Sequence, residues 1–186
     1  TLNAQKTPQK IKFLAHKNGV ALQGDGYPNP GIQPMTPFFL KRRRFNLLTG
    51  INLISSPGTE PEALHATGTL SAREELEAMV QKIAPYCEYI VINAAHPSSE
   101  FYEIVGNHDI MFSLIKSLKE TATFMAPFAP PKILLEIPFD FTPAQMLSVG
   151  EIVRESALDG VIIAGPHVMS HAENPFNNAS LPVVFY

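Results

Sequence analysis

The sequence has a single cysteine, Cys87, so no internal disulfide can form, which fits a reducing compartment. It has no apolar run approaching the roughly 20 residues that span a bilayer. No signal peptide is evident at Thr1, although a processed N-terminus would hide one. Net charge is also scarce: at −3 it gives no electrostatic reason to expect DNA as a partner. The one basic run, Lys41-Arg42-Arg43-Arg44, reads first as a solvated loop. Beyond that, Arg42 to Arg44 are compatible with a contact to a protein partner, anionic lipid or RNA. Metal-site spacing is missing too. His16, His65, His96, His108, His167 and His171 fall in no such pattern, and His167 and His171 lie in an expected loop, so no metal is expected.

What is present is a globular chain. With 186 residues, 45% apolar and 17% charged, it has room for one ordinary core and therefore one domain. Its 17 prolines gather between Pro28 and Pro37 and between Pro127 and Pro138, marking extended connections. Residues 1–10 read as a polar tail, and Ile11 to Ala15 as a short strand.

From Gly50 the pattern becomes regular. Ile51 to Ile54 reads as a strand. Ser71 and Glu74 then make a capping box, opening a helix whose Leu76, Met79, Val80 and Ile83 share one face. Pro85 stops it. Tyr89 to Ala94 is too short for a helix and too apolar for an edge strand, so it reads as a strand buried on both faces of a parallel sheet. Cys87, between that helix and this strand, reads as a packing residue. A second helix is expected from about Asp109 to Phe124, with Ile110, Leu114, Ile115 and Leu118 inward. The strand Ile133 to Ile137 follows, then a helix opened by Thr142 as N-cap and Pro143 at N1, with Gln145 completing a second capping box. Met146, Val149, Ile152 and Val153 face inward there, and Val161 to Ala164 is the next strand. Alternation of strand and helix makes the sheet parallel.

Polar residues collect where these strands end, which is where parallel α/β proteins carry their chemistry. Ile92-Asn93-Ala94-Ala95-His96-Pro97-Ser98-Ser99 resembles the I-N-x-S-S-P-N-T-P-G stretch of class 2, mitochondrial-type dihydroorotate dehydrogenases, FMN enzymes on a (β/α)8 barrel. Lys17-Asn18-Gly19 is similar to the end of that family's G-F-D-K-N-G motif. Tyr27 to Gly31 and Pro37 to Lys41 resemble its T-P-x-P-Q-P-G…P-R-L-F-R loop.

The resemblance implies an incomplete (β/α)8 TIM-barrel-like α/β fold over residues 11–165, with 166–186 as a C-terminal extension. A complete barrel needs roughly 200 residues or more. The resemblance also implies roles, position by position. Asn52 stands where the family has an Asn at the end of the earlier strand, a flavin position, and Asn93 where it has a flavin- and substrate-facing Asn. His96 takes the place of the catalytic Ser, and a histidine is a sound base near neutral pH. Ser98 replaces a substrate-binding Asn. Glu136 replaces the Lys at the electron-rich edge of the flavin, and an anion there repels reduced flavin. Gly165 falls in a segment that replaces T-N-T-T. Bland readings stand beside these: Glu136 paired with Lys17 or an arginine, and both asparagines bonded to backbone.

These changes lead to the expectation of a pseudoenzyme with no catalytic residue and no cofactor, its cleft vestigial around Asn93, His96 and Lys17. The flavin positions Asn52, Glu136 and Gly165 are vestigial too in that reading. Such a chain would be an accessory subunit of a larger protein complex, for which the resemblance implies a mitochondrial location. A respiratory complex or ATP synthase of the mitochondrial inner membrane, or a ribosome, would be the setting. The alternative is an active FMN-dependent dihydroorotate dehydrogenase of pyrimidine biosynthesis with His96 as base. A third reading keeps the cleft as a binding site for some other small anion or nucleotide.

Overall fold

The structure, a computed structural model, describes residues 14–15, 21–23, 31–32, 37, 48–55, 71–96, 99–102, 104–164, 167–169 and 183–185. In chain order the elements are β1 (Leu14–Ala15), β2 (Ala21–Gln23), β3 (Gly50–Leu53), α1 (Ala72–Ile83), β4 (Tyr89–Asn93), α2 (His108–Met125), β5 (Lys132–Ile137), α3 (Pro143–Ser156), β6 (Gly160–Ile163), β7 (His167–Met169) and β8 (Val183–Phe185). A 3-10 turn, Ala84–Tyr86, with Pro85 inside it, follows α1.

Strands β3, β4, β5 and β6 form one parallel sheet in that order, with Ile51 opposite Ile90, Ile90 opposite Ile133 and Leu135 opposite Val161. Each strand is joined to the next by a crossover that contains one of the three helices, which is the repeating unit of a (β/α)8 barrel. The fold is therefore an incomplete barrel of this type. Alternation along the strands separates two faces. Leu53, Ile90, Ile92, Ile133, Leu135 and Ile137 point to one side and join a single core with Leu76, Met79, Ile83, Met111, Leu114, Ile115, Leu118 and Ile152 from the helices. Each such fully buried side chain contributes about 1.5–3 kcal/mol of hydrophobic stabilisation. Asn52, Val91, Asn93, Leu134, Glu136 and Ile162 share the other face.

The helices start where the sequence directs. Ser71 accepts from the Glu74 backbone while Glu74 returns a bond to the Ser71 N–H, and Thr142 and Gln145 repeat the device with Pro143 in the first turn. Asn107 caps α2 by accepting from the Ile110 N–H at 3.2 Å. The phase of α2 differs from expectation: Met111, not Ile110, is the buried residue of its first turn. Cys87 is buried, its thiol donates to the Ile83 carbonyl at 3.4 Å, and burial together with the adjacent Glu88 pushes its pKa up to about 12. It is a packing residue.

The chain departs from all-parallel pairing at its two ends. The strands β1, β2, β8 and β7 form a second sheet in that order, and every pairing in it is antiparallel. Leu14 lies opposite Leu22, Leu22 opposite Phe185 and Val168 opposite Val184. His167, expected in a loop, opens β7. No helix among the described residues is long and apolar enough to cross a membrane.

Candidate active site

The two asparagines and the glutamate of the sequence argument meet at the C-terminal mouth of the parallel sheet. Register makes this possible: Asn93 lies opposite Glu136, and Asn52 lies opposite Val91, two residues earlier on the same face. The Asn52 Nδ2 group donates to Glu136 Oε2 at 2.6 Å, and Asn93 Nδ2 donates to the same oxygen at 3.2 Å. Asn93 is buried and its orientation is fixed from behind, because Oδ1 accepts from the backbone N–H groups of Ala95 (3.1 Å) and His96 (3.0 Å). With the oxygen so engaged, only the amide N–H groups can face the carboxylate. Beyond the last ladder rung, the Ala94 N–H still donates to the Glu136 carbonyl at 2.9 Å, so β4 and β5 stay joined up to the mouth.

The reading of Asn93 as a backbone-bonded strand-end residue thus holds for one end of its amide, while the other end reaches Glu136. Asn52 bonds to Glu136 instead of backbone. Glu136 has no ion pair among the described residues. Lys17 and Gly165, like Arg42 to Arg44, lie outside the described residues.

His96 follows in the turn after β4. Its side chain is buried at 4% exposure, and burial pushes its pKa down to about 4. It is therefore a neutral imidazole at physiological pH, unprotonated but a weaker base than the near-neutral histidine the sequence implies. The turn is tied by the Ser99 N–H to the His96 carbonyl at 2.8 Å. Two buried serines support it: Ser99 Oγ accepts from the Phe101 N–H and Ser55 Oγ from the Glu100 N–H, each at 3.3 Å. Ser55 escaped the sequence argument; its one signal was its place two residues past β3.

Among the described residues no group of three or more His, Cys, Asp or Glu side chains could hold a metal. A shallow concavity of ≈ 430 Å³ between α1 and α2, lined by Gln81, Glu120, Thr121, Phe124 and Met125, lies at the helix C-termini, away from the mouth.

A parallel, helix-backed half-barrel with its polar side chains at the strand C-termini defines the class: a (β/α)8-type protein with a site where such barrels carry their chemistry. Comparison with known proteins narrows this to a distant relative of the quinone-type dihydroorotate dehydrogenases. The chain is 28% identical over 183 residues to the dihydroorotate dehydrogenase (quinone) of Rhodospirillum rubrum, covering 95% of this chain and 47% of that one. It is 24% identical over 218 residues to the enzyme of the same name from Actinobacillus succinogenes, covering 95% and 64%. The crystal structure of DHODH from Eimeria tenella in complex with ferulenol superposes with a TM-score of 0.74 at 16% identity, covering 98% of this chain and 53% of that one. No family model matches the chain. The chain spans about half the length of the curated relatives it matches.

These findings correct the expectation of a pseudoenzyme. The relatives carry the names of enzymes. Of the substitutions, His96 stands as a buried neutral imidazole and Glu136 accepts from the retained Asn52 and Asn93, while Ser98 and Gly165 lie outside the described residues.

Proposed function

We propose that the chain carries the substrate-facing half of a dihydroorotate-dehydrogenase-type oxidoreductase, acting with further polypeptide that closes the barrel. The observation that carries this reading is the convergence of Asn52 and Asn93 on one point of the strand mouth, in a scaffold related to enzymes of that name. The ring of a dihydropyrimidine offers carbonyl oxygens and N–H groups. Asn52 and Asn93 each keep a second amide N–H with which to bind a carbonyl. His96 takes a proton from a ring carbon as the neighbouring carbon gives up hydride, leaving a C=C bond in the ring.

The amide of Asn93 also fits the carbonyl-bearing edge of FMN, so Asn93 is the residue that would hold that edge, leaving Asn52 for the ring carbonyl. FMN, when bound, supplies the acceptor for the hydride. The test is reduction of a quinone or redox dye, with dihydroorotate or 5,6-dihydrouracil as the donor, by the protein purified with the polypeptide that closes its barrel and supplied with FMN. Turnover is expected, and Asn93→Ala is expected to lower it by about 100-fold through loss of an oriented donor. Flavin bound stoichiometrically without any turnover would sink this reading.

A second reading concerns partners. β3 and β6 are the edges of the parallel sheet among the described residues, and Ile163 on β6 is 56% exposed. Open edges of this kind are normally paired or covered. We infer that the β6 edge takes a further strand in a larger assembly, and that the protein elutes above its 20.4 kDa monomer mass. A monodisperse monomer in light scattering would contradict it.

A further inference from the structure

Glu136 places a carboxylate at the centre of the mouth with no lysine or arginine to answer it among the described residues. Its Oε2 takes both amide donors, from Asn52 and Asn93, and its Oε1 has no hydrogen-bond partner among the described residues. Two consequences follow for a ligand. A carboxylate-bearing ring meets a like charge, and it competes with Glu136 for the donors an anion would need. A neutral ring meets neither obstacle: its N–H can donate to Oε1 while its carbonyl accepts the second N–H of exposed Asn52.

We propose that Glu136 is the specificity-determining residue of this mouth, selecting the neutral dihydropyrimidine ring over the same ring bearing a carboxylate. This rests on the reading that the mouth binds a dihydropyrimidine at all. Like charges a few ångströms apart in a half-solvated cleft separate the two ligands by about tenfold or more in affinity.

The experiment is isothermal titration of the full chain with 5,6-dihydrouracil and with dihydroorotate, in wild type and in Glu136→Gln, which removes the charge and keeps the shape. Wild type is expected to bind dihydrouracil at least about tenfold tighter, and Glu136→Gln to bring the two within about threefold. In the wild type alone, added salt is expected to narrow the preference, because it screens the repulsion. That measurement keeps the test intact if the variant does not fold. Dihydroorotate bound as tightly as dihydrouracil by wild type, with no response to salt or to Glu136→Gln, overturns the inference and leaves the proposed function standing. Failure of both rings to bind either protein overturns both.

Discussion

Each end of the parallel sheet carries a carboxylate, and the two are treated differently. At the bottom, where the strands begin, Asp159 accepts from Lys119 at 3.2 Å, from Lys132 at 3.1 Å and from the Ile133 backbone N–H at 3.0 Å. Partial burial pushes its pKa up, but the Ile133 N–H and the two lysines outweigh this and hold it below the usual range. Nearby, Glu88 receives the Thr49 backbone N–H at 2.5 Å. At the mouth, among the described residues, Glu136 meets only neutral amides, and the buried imidazole of His96 carries no charge at neutral pH. A carboxylate whose charge is answered by lysines and a strand N–H stabilises the fold. One that meets only neutral donors among the described residues holds those donors in place and is free to shape ligand choice.

The largest effect expected from breaking this contrast lies at the mouth. His96→Gln should lower turnover by about 100-fold or more while the protein still folds, since removal of a general base costs that much. Steady-state kinetics with a circular-dichroism control checks it, and undiminished turnover removes His96 from the chemistry.

Next comes acid stability. The His96 pKa is lowered in the native state, so between about pH 6.5 and 4 the unfolded chain binds a proton that the folded one does not. Stability from this group is therefore present above pH 6.5 and falls as pH drops towards 4, by an amount of order 3 kcal/mol. Urea titrations at pH 7.5, 6, 5 and 4 read it, and in His96→Gln that component of the slope should vanish.

The smallest effect belongs to the bottom. Asp159→Asn should cost about 1–2 kcal/mol, through two weakened ion pairs and a weakened bond to the Ile133 N–H. The depressed Asp159 pKa gives the sign: its contribution is present above the ordinary carboxylate range and is lost as pH falls through the native value. The difference between Asp159→Asn and wild type should thus shrink in strong acid.

The same contrast separates what was legible in the sequence from what was not. Local devices were readable because their chemistry is contained in a few residues. The capping boxes at Ser71–Glu74 and Thr142–Gln145, the stop at Pro85 and the buried strand Tyr89–Asn93 all stand as the residues dictate. Three points needed the tertiary structure. The first turn of α2 buries Met111 because α1 and the sheet set the phase of the helix, and periodicity alone does not distinguish it from Ile110. The antiparallel sheet joins Leu22 to Phe185 across almost the whole chain, a pairing that no local pattern encodes. The bond from Asn52 to Glu136 depends on the register of three strands, so the sequence could name both residues without making them partners. The charge at Glu136 was legible; the absence of an ion pair among the described residues was not.

The most direct measurement sets Asp159→Asn beside Glu136→Gln, recording thermal midpoint and the dihydrouracil-to-dihydroorotate affinity ratio for each. Asp159→Asn should lower the midpoint by about 2–8 °C and leave the ratio unchanged, while Glu136→Gln should hold the midpoint and shift the ratio about tenfold toward dihydroorotate. The reverse outcome, with Glu136→Gln melting early at an unchanged ratio, would make the mouth carboxylate structural and contradict the account.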